Sequence, residues 1–167
     1  MRPIKRKTRQ LVALASALVV SACFGDMVST QPAGERFEGV PIDPTRELTC
    51  IDPIDTTDDG HHYEGMACTG CHNGTTAVEF TSGGTLYADP GGSMPLSGFS
   101  VSIIDSDDTQ IDAVSGLNGN FYTSTPLVFP AIAYVSACPD SVPMPIQLTV
   151  GDCNGCHVAG DRITFSP

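Results

Sequence analysis

"SGFSVSIID", residues 97 to 105, sets Phe99, Val101 and Ile103 against Ser100 and Ser102. An apolar residue at every second position marks a strand with one face buried. Working outward, "AVEFTSGGTLYA" (77 to 88), "TQIDAVS" (109 to 115), "GNFYTST" (119 to 125), "PAIAYVSA" (130 to 137) and "PMPIQLTV" (143 to 150) are further short runs rich in β-branched and aromatic residues. The turn formers "ADPGG", "SDD", "LNGN" and "CPDSVP" separate them. Strands at this spacing, without a helical pattern long enough to cross between them, predict an all-β fold: a small antiparallel β-sandwich over residues 77 to 150. The chain has no tryptophan, so its core is expected to be small.

The stretch Gly83 to Thr123, with its opening Gly-x-hydrophobic strand, its Gly-hydrophobic-x-Val strand and its "GNF" start to a later strand, resembles the carboxypeptidase-regulatory or prealbumin-like β-sandwich. That resemblance implies a fold and no chemistry.

The N-terminus carries Arg2, Lys5, Arg6, Lys7 and Arg9 ahead of an apolar run from Leu11 to Val20. The run is short for a membrane span and reads as a secretory signal. "VSAC", Val20 to Cys23, resembles a bacterial lipobox, which implies cleavage before Cys23 and a lipid on that cysteine. The alternative is an ordinary signal cut after Ala22. Residues 1 to 22 are therefore expected to be a lipoprotein signal peptide, and the protein to be exported and lipid-anchored at the outer membrane or cell surface.

Five of the eight basic residues lie in that leader, which leaves three arginines against 19 acidic residues in the rest of the chain. Such a surface repels nucleic acid and anionic headgroups and favours basic partners. Residues 23 to 60 are rich in Pro, Gly, Asp and Thr and lack any sustained period, so they read as a tether followed by irregular structure.

Chemistry is concentrated on either side of the strands. Cys68-Thr69-Gly70-Cys71-His72 and Cys153-Asn154-Gly155-Cys156-His157 repeat one pattern. Covalent haem attachment needs two thiols a fixed distance apart for the porphyrin vinyls and an imidazole beneath the iron, and Cys-x-x-Cys-His supplies all three. A Cys₄ zinc site, a redox disulfide and two local disulfides are the other meanings of such pairs. Export disfavours reduced zinc thiols, and a zinc site gives no reason for the histidine. A redox disulfide needs a βαβ context that is not visible, while two local disulfides remain the alternative. The ten motif residues resemble diheme c-type cytochromes. That resemblance implies two covalent haem c groups, with Cys68, Cys71, Cys153 and Cys156 as thioether positions and His72 and His157 as proximal iron ligands.

The only other histidines are His61 and His62. Neighbours in extended chain point to opposite sides, so this pair can serve as the second axial ligands of two irons, an arrangement similar to that of multihaem cytochromes. Met66, Met94 and Met144 are the alternative ligands, and one histidine of the pair could instead reach the haem of a neighbouring molecule. Segments 61 to 76 and 151 to 167 are thus expected as haem-binding loops or short helices. Cys50 and Cys138 remain as a disulfide contributing about 3 to 4 kcal/mol. The acidic groups Asp55, Asp58, Asp59 and Asp105, Asp107, Asp108 lack the register of a calcium loop and read as solvated turns. No hydrolytic triad or phosphate loop is present, so the expected function is electron transfer between redox partner proteins or neighbouring cytochromes rather than catalysis. The two alternatives are a subunit of a polymerising cytochrome filament and a non-haem adhesion module.

Overall fold

The computed structural model of the chain describes residues 47–60 and 62–166. The leader, Cys23, most of the expected tether and His61 lie outside the described residues. Seven strands and one helical turn follow in order: β1 (Ser82–Tyr87), β2 (Ser100–Ile104), β3 (Gln110–Val114), β4 (Asn120–Thr123), β5 (Ile132–Ala137), β6 (Asp140–Pro143), α1 (Cys153–Cys156) and β7 (Ile163–Thr164). They form two sheets, ordered β4-β1-β7 and β3-β2-β5-β6. The expected all-β sandwich is the fold found.

Register follows the alternation read from the sequence. Val101 stands opposite Ala113 and Val135, and Ile103 opposite Ile111 and Ala133. Leu86, Val101, Ala113, Phe121, Val135 and Phe165 pack into the main core, while Ile103, Ala131, Ala133 and Leu148 form a second cluster. Burial of such side chains supplies the main drive to fold, about 1.5 to 3 kcal/mol for each large one.

Ser100 and Ser102 depart from the expected polar, solvated face, being 2% and 0% exposed. The reason is the segment before the sandwich, which lies across β2 and β5. Ile51 N donates to Ser136 Oγ at 3.1 Å, Tyr134 Oη donates to the Thr49 carbonyl at 3.3 Å, and Ile54 N donates to the Gly98 carbonyl at 2.9 Å. Residues 47 to 60 are therefore irregular, as expected, but strapped to the sheet. The strap is bolted by a Cys50–Cys138 disulfide, with Cα atoms 5.3 Å apart across 88 residues of chain.

Three strand assignments differ from the sequence reading. "CPDSVP" is more than a turn, since it also contains β6, which pairs back on β5 from Ala137↔Asp140 to Tyr134↔Pro143. "PMPIQLTV" yields only the end of β6 and one bridge, Ala131↔Leu148, because Pro143 and Pro145 have no N–H to give a ladder. The unexpected strand is β7, inside the segment expected to be a haem loop. It runs parallel to β1, with Leu86↔Ile163 and Tyr87↔Thr164 as partners, and Phe165 follows it into the core.

The acidic stretch Asp105 to Asp108 forms a turn, but Asp105 is buried rather than solvated, at 7% exposed. Asp105 Oδ1 accepts from the backbone N–H groups of Asp107 and Thr109, and Asp108 takes φ +66°, a left-handed value that aspartate tolerates.

Replacing both Cys50 and Cys138 with serine is expected to lower unfolding free energy by about 4 kcal/mol, from the length of the loop it closes. A urea titration of the two proteins checks this. An unchanged midpoint would mean that the strap holds without its bolt.

Candidate functional site: two Cys-x-x-Cys-His turns on one strand

The two motifs are far apart in sequence and adjacent in space. Their meeting place is the start of β1, where Gly83 and Gly84 point their missing side chains to opposite faces. A Cβ on Gly83 would stand 3.4 Å from Cys68 Sγ, and a Cβ on Gly84 would stand 2.9 Å from Cys153 Cβ and 2.8 Å from Phe121 Cζ. The first cysteine of each motif therefore rests on bare backbone of the same strand. Beyond Gly83 the free edge of β1 is taken by the approach to the second motif, Gly83 N donating to the Gly151 carbonyl at 2.9 Å. Both ends of the sandwich thus arrive at one pole, the condition for two neighbouring cofactors.

Each motif folds as the same single turn. His72 N donates to the Cys68 carbonyl at 2.9 Å, and His157 N donates to the Cys153 carbonyl at 2.8 Å. A turn of this kind gathers its first, fourth and fifth residues on one side. The histidines match again at the side chain: His72 Nδ1 meets the Val78 carbonyl at 2.9 Å and His157 Nδ1 meets the Asp161 carbonyl at 3.0 Å. A carbonyl only accepts, so Nδ1 carries the proton in both rings. In the neutral imidazole, Nε2 is left with the lone pair that binds a metal.

Around the first motif the chain opens a cleft of about 330 Å³ lined by His62, Tyr63, Met66, Cys68, Cys71, His72, Phe80 and Tyr122, among others. The His72 ring lies flat on Phe80, centroids 3.8 Å apart and planes 6° apart, and Phe80 lies on Tyr122 at 4.4 Å. His62 stands with its centroid 6.1 Å from that of His72 and its plane 27° away. Of the three alternative methionines, Met66 lines this cleft, Met144 packs on the second core cluster, and Met94 is exposed on the turn after β1.

A buried polar cluster ties these parts together. The Thr85 hydroxyl, 0% exposed, donates to Asn120 Oδ1 at 2.6 Å and accepts from Asn154 Nδ2 at 2.9 Å and Gly65 N at 2.8 Å. Asn154, inside the second motif, also donates to the Met66 carbonyl at 2.9 Å and takes the Thr85 N–H on its Oδ1 at 3.0 Å. Asp152 Oδ1 accepts from Cys68 N at 3.2 Å. Arg162 bridges the carbonyls of Gly65 and His157, at 2.9 and 3.3 Å. Composition and spacing gave no sign of Thr85, Asn120, Asn154, Asp152 or Arg162. The Gly83-Gly84 pair inside a strand was the one legible hint.

The thiols are not alike. Burial pushes the Cys68 thiol up to about 11, with the Asp152 carboxylate and Cys153 adding to the effect. Burial likewise raises Cys153 to about 11, against a weak hydrogen bond with Ser82 Oγ. Both stay protonated at neutral pH, the opposite of the activated thiolate that disulfide exchange uses. Among the described residues, no three His, Cys, Asp or Glu side chains converge as a bare metal ion would require. Cys71 is exposed. Cys153 is 7% exposed within the main core.

Comparison with protein-family models, curated proteins and solved structures gives no match for this chain. Function must therefore be argued from the site itself.

Gly84→Ala is expected to cost about 1 to 3 kcal/mol, the usual penalty for overpacking, because the new methyl meets Phe121 and Cys153. Gly70→Ala, whose Cβ finds only the Ala67 carbonyl at 3.7 Å, is the comparison. Equal thermal midpoints for the two variants would show that the second motif does not rest on β1.

Proposed function

We propose that the protein is a diheme c-type cytochrome, exported and lipid-anchored through Cys23, that passes single electrons between partners. The carrying observation is the duplicated geometry: two Cys-x-x-Cys-His turns with the same backbone bond and the same Nδ1 commitment. Chance recurrence of the sequence pattern would not fix both imidazoles with Nε2 left for a metal.

The first motif suits a haem as it stands. Cys68 and Cys71 would hold it, His72 would face its iron, and the cleft bordered by Phe80 and Tyr122 offers an apolar, aromatic wall. Each thiol would add its S–H across a porphyrin vinyl double bond, a step that consumes no oxidant. Bound haem supplies one-electron exchange, its potential set by axial ligand, burial and hydrogen bonding. The chain's own part is positional: Val78 and Asp161 orient the imidazoles, and the clasp of Thr85 and Asn154 fixes one site against the other.

The second motif does not present both thiols in this conformation, because Cys153 lies in the core. Thioether formation there requires Cys153 to be reached. This observation favours one second reading, a single haem at Cys68, Cys71 and His72 with the second motif structural. In either case the excess of carboxylates suits a redox partner with a basic docking face.

Intact mass and absorption of the protein, matured in a host with a c-type cytochrome assembly apparatus, separate the readings. Two covalent haem additions are expected, with a Soret band surviving acid-acetone extraction. One addition would select the monohaem reading. A colourless protein of unmodified mass would overturn both and leave a surface module stapled by disulfides.

A further inference from the structure

The cleft at the first motif is bordered by two imidazoles of the same chain, those of His62 and His72. Two imidazoles that grip one metal ion from opposite sides through bonds of about 2.0 Å, the length seen at zinc, place their ring centres roughly 6 Å apart. His62 and His72 are separated by 6.1 Å between centroids, with planes 27° apart, and both border the same cleft as Cys68 and Cys71. Direct stacking of two rings brings them much closer, as His72 and Phe80 show at 3.8 Å.

The backbone that carries His62 is held from below. Asn120 Nδ2 donates to the Gly60 carbonyl at 2.9 Å and to the His62 carbonyl at 3.1 Å, while its Oδ1 accepts from the buried Thr85 hydroxyl. Asn120 is 8% exposed, sits at the start of the paired strand β4, opposite Thr85, and has its amide fully engaged. A side-chain amide buried in this way fixes the segment above it, since each bond lost would leave a polar group unsatisfied. Tyr63, directly after His62, takes φ +57° and packs its ring edge against the His62 imidazole at 4.7 Å. The turn and the amide together fix the backbone from which the His62 ring borders the cleft.

We propose that His62 of the same chain is the second axial ligand of the iron held at Cys68, Cys71 and His72, and that Asn120 is the positioning residue that presents it. The inference rests on the haem reading of the first motif. It assigns to the chain itself a ligand that a neighbouring molecule could otherwise have supplied, so the first site is complete in the monomer. It also excludes Met66 from that iron, although Met66 borders the same cleft.

Electron paramagnetic resonance and carbon monoxide binding on the purified holoprotein test it. In the oxidised wild type the first haem is expected to be low-spin and, when reduced, to bind no carbon monoxide, with spectra unchanged on dilution. His62→Ala should convert that haem to high-spin and open it to carbon monoxide, and free imidazole should restore low spin. His62→Met should keep six-coordination and raise the midpoint potential of the same haem. Asn120→Ala should give partial conversion, rescued by imidazole, whereas a purely structural role would lower the thermal midpoint without a high-spin signal. In a variant lacking Cys68 and Cys71, His62→Ala should leave any remaining haem spectrum unchanged. A first haem that stays low-spin in His62→Ala, or a low-spin state lost on dilution of the wild type, would overturn the proposal with the haem reading intact. Absence of any haem would overturn that reading and the ligand assignment together.

Discussion

The site depends on one buried hydroxyl. Thr85 Oγ, with no solvent exposure, satisfies Asn120, Asn154 and Gly65 at once, and those three belong to β4, the second motif and the chain leading into the first. Hydrogen bonds of this kind add only about 1 kcal/mol each to stability. Their larger effect is on uniqueness, because any shift of one motif relative to the other would strand a buried polar atom. A fold made of two short sheets and a small apolar core obtains a defined functional pole in this way.

Glycine makes that arrangement sterically accessible. Gly83 and Gly84 remove the two side chains that would have kept the cysteine turns away from β1, and the parallel strand β7 then seals the same edge further along at Leu86 and Tyr87. The second motif is accordingly a working part of the sandwich, with Cys153 among the core residues, rather than a loop added to its end.

Most of the fold was legible because its signals are local. Phe99, Val101 and Ile103 announce a strand by period alone, and the turn residues around Asp105 and Asn118 mark where it reverses. What escaped was non-local. The burial of Ser100 and Ser102 depends on a strap bonded to Ser136 and Tyr134, and no periodicity reports a strap. Strand β7 is two residues long, too short for any alternation to show. At the site the cysteines and histidines stood out by type and spacing, whereas Asn120 and Asn154 look like any turn asparagine until the contacts of their amides are seen.

The burial of Cys153 has a consequence for the protein's biogenesis. A sulfur buried in the main core, with Ser82 Oγ and the Gly151 carbonyl each 3.7 Å away, is beyond the reach of any assembly enzyme once the sheets have closed. Under the two-haem reading, cofactor loading at that motif must precede completion of the fold, and premature oxidation of the thiols would trap an empty chain. Order of events, rather than final stability, would then limit how much working protein a cell obtains.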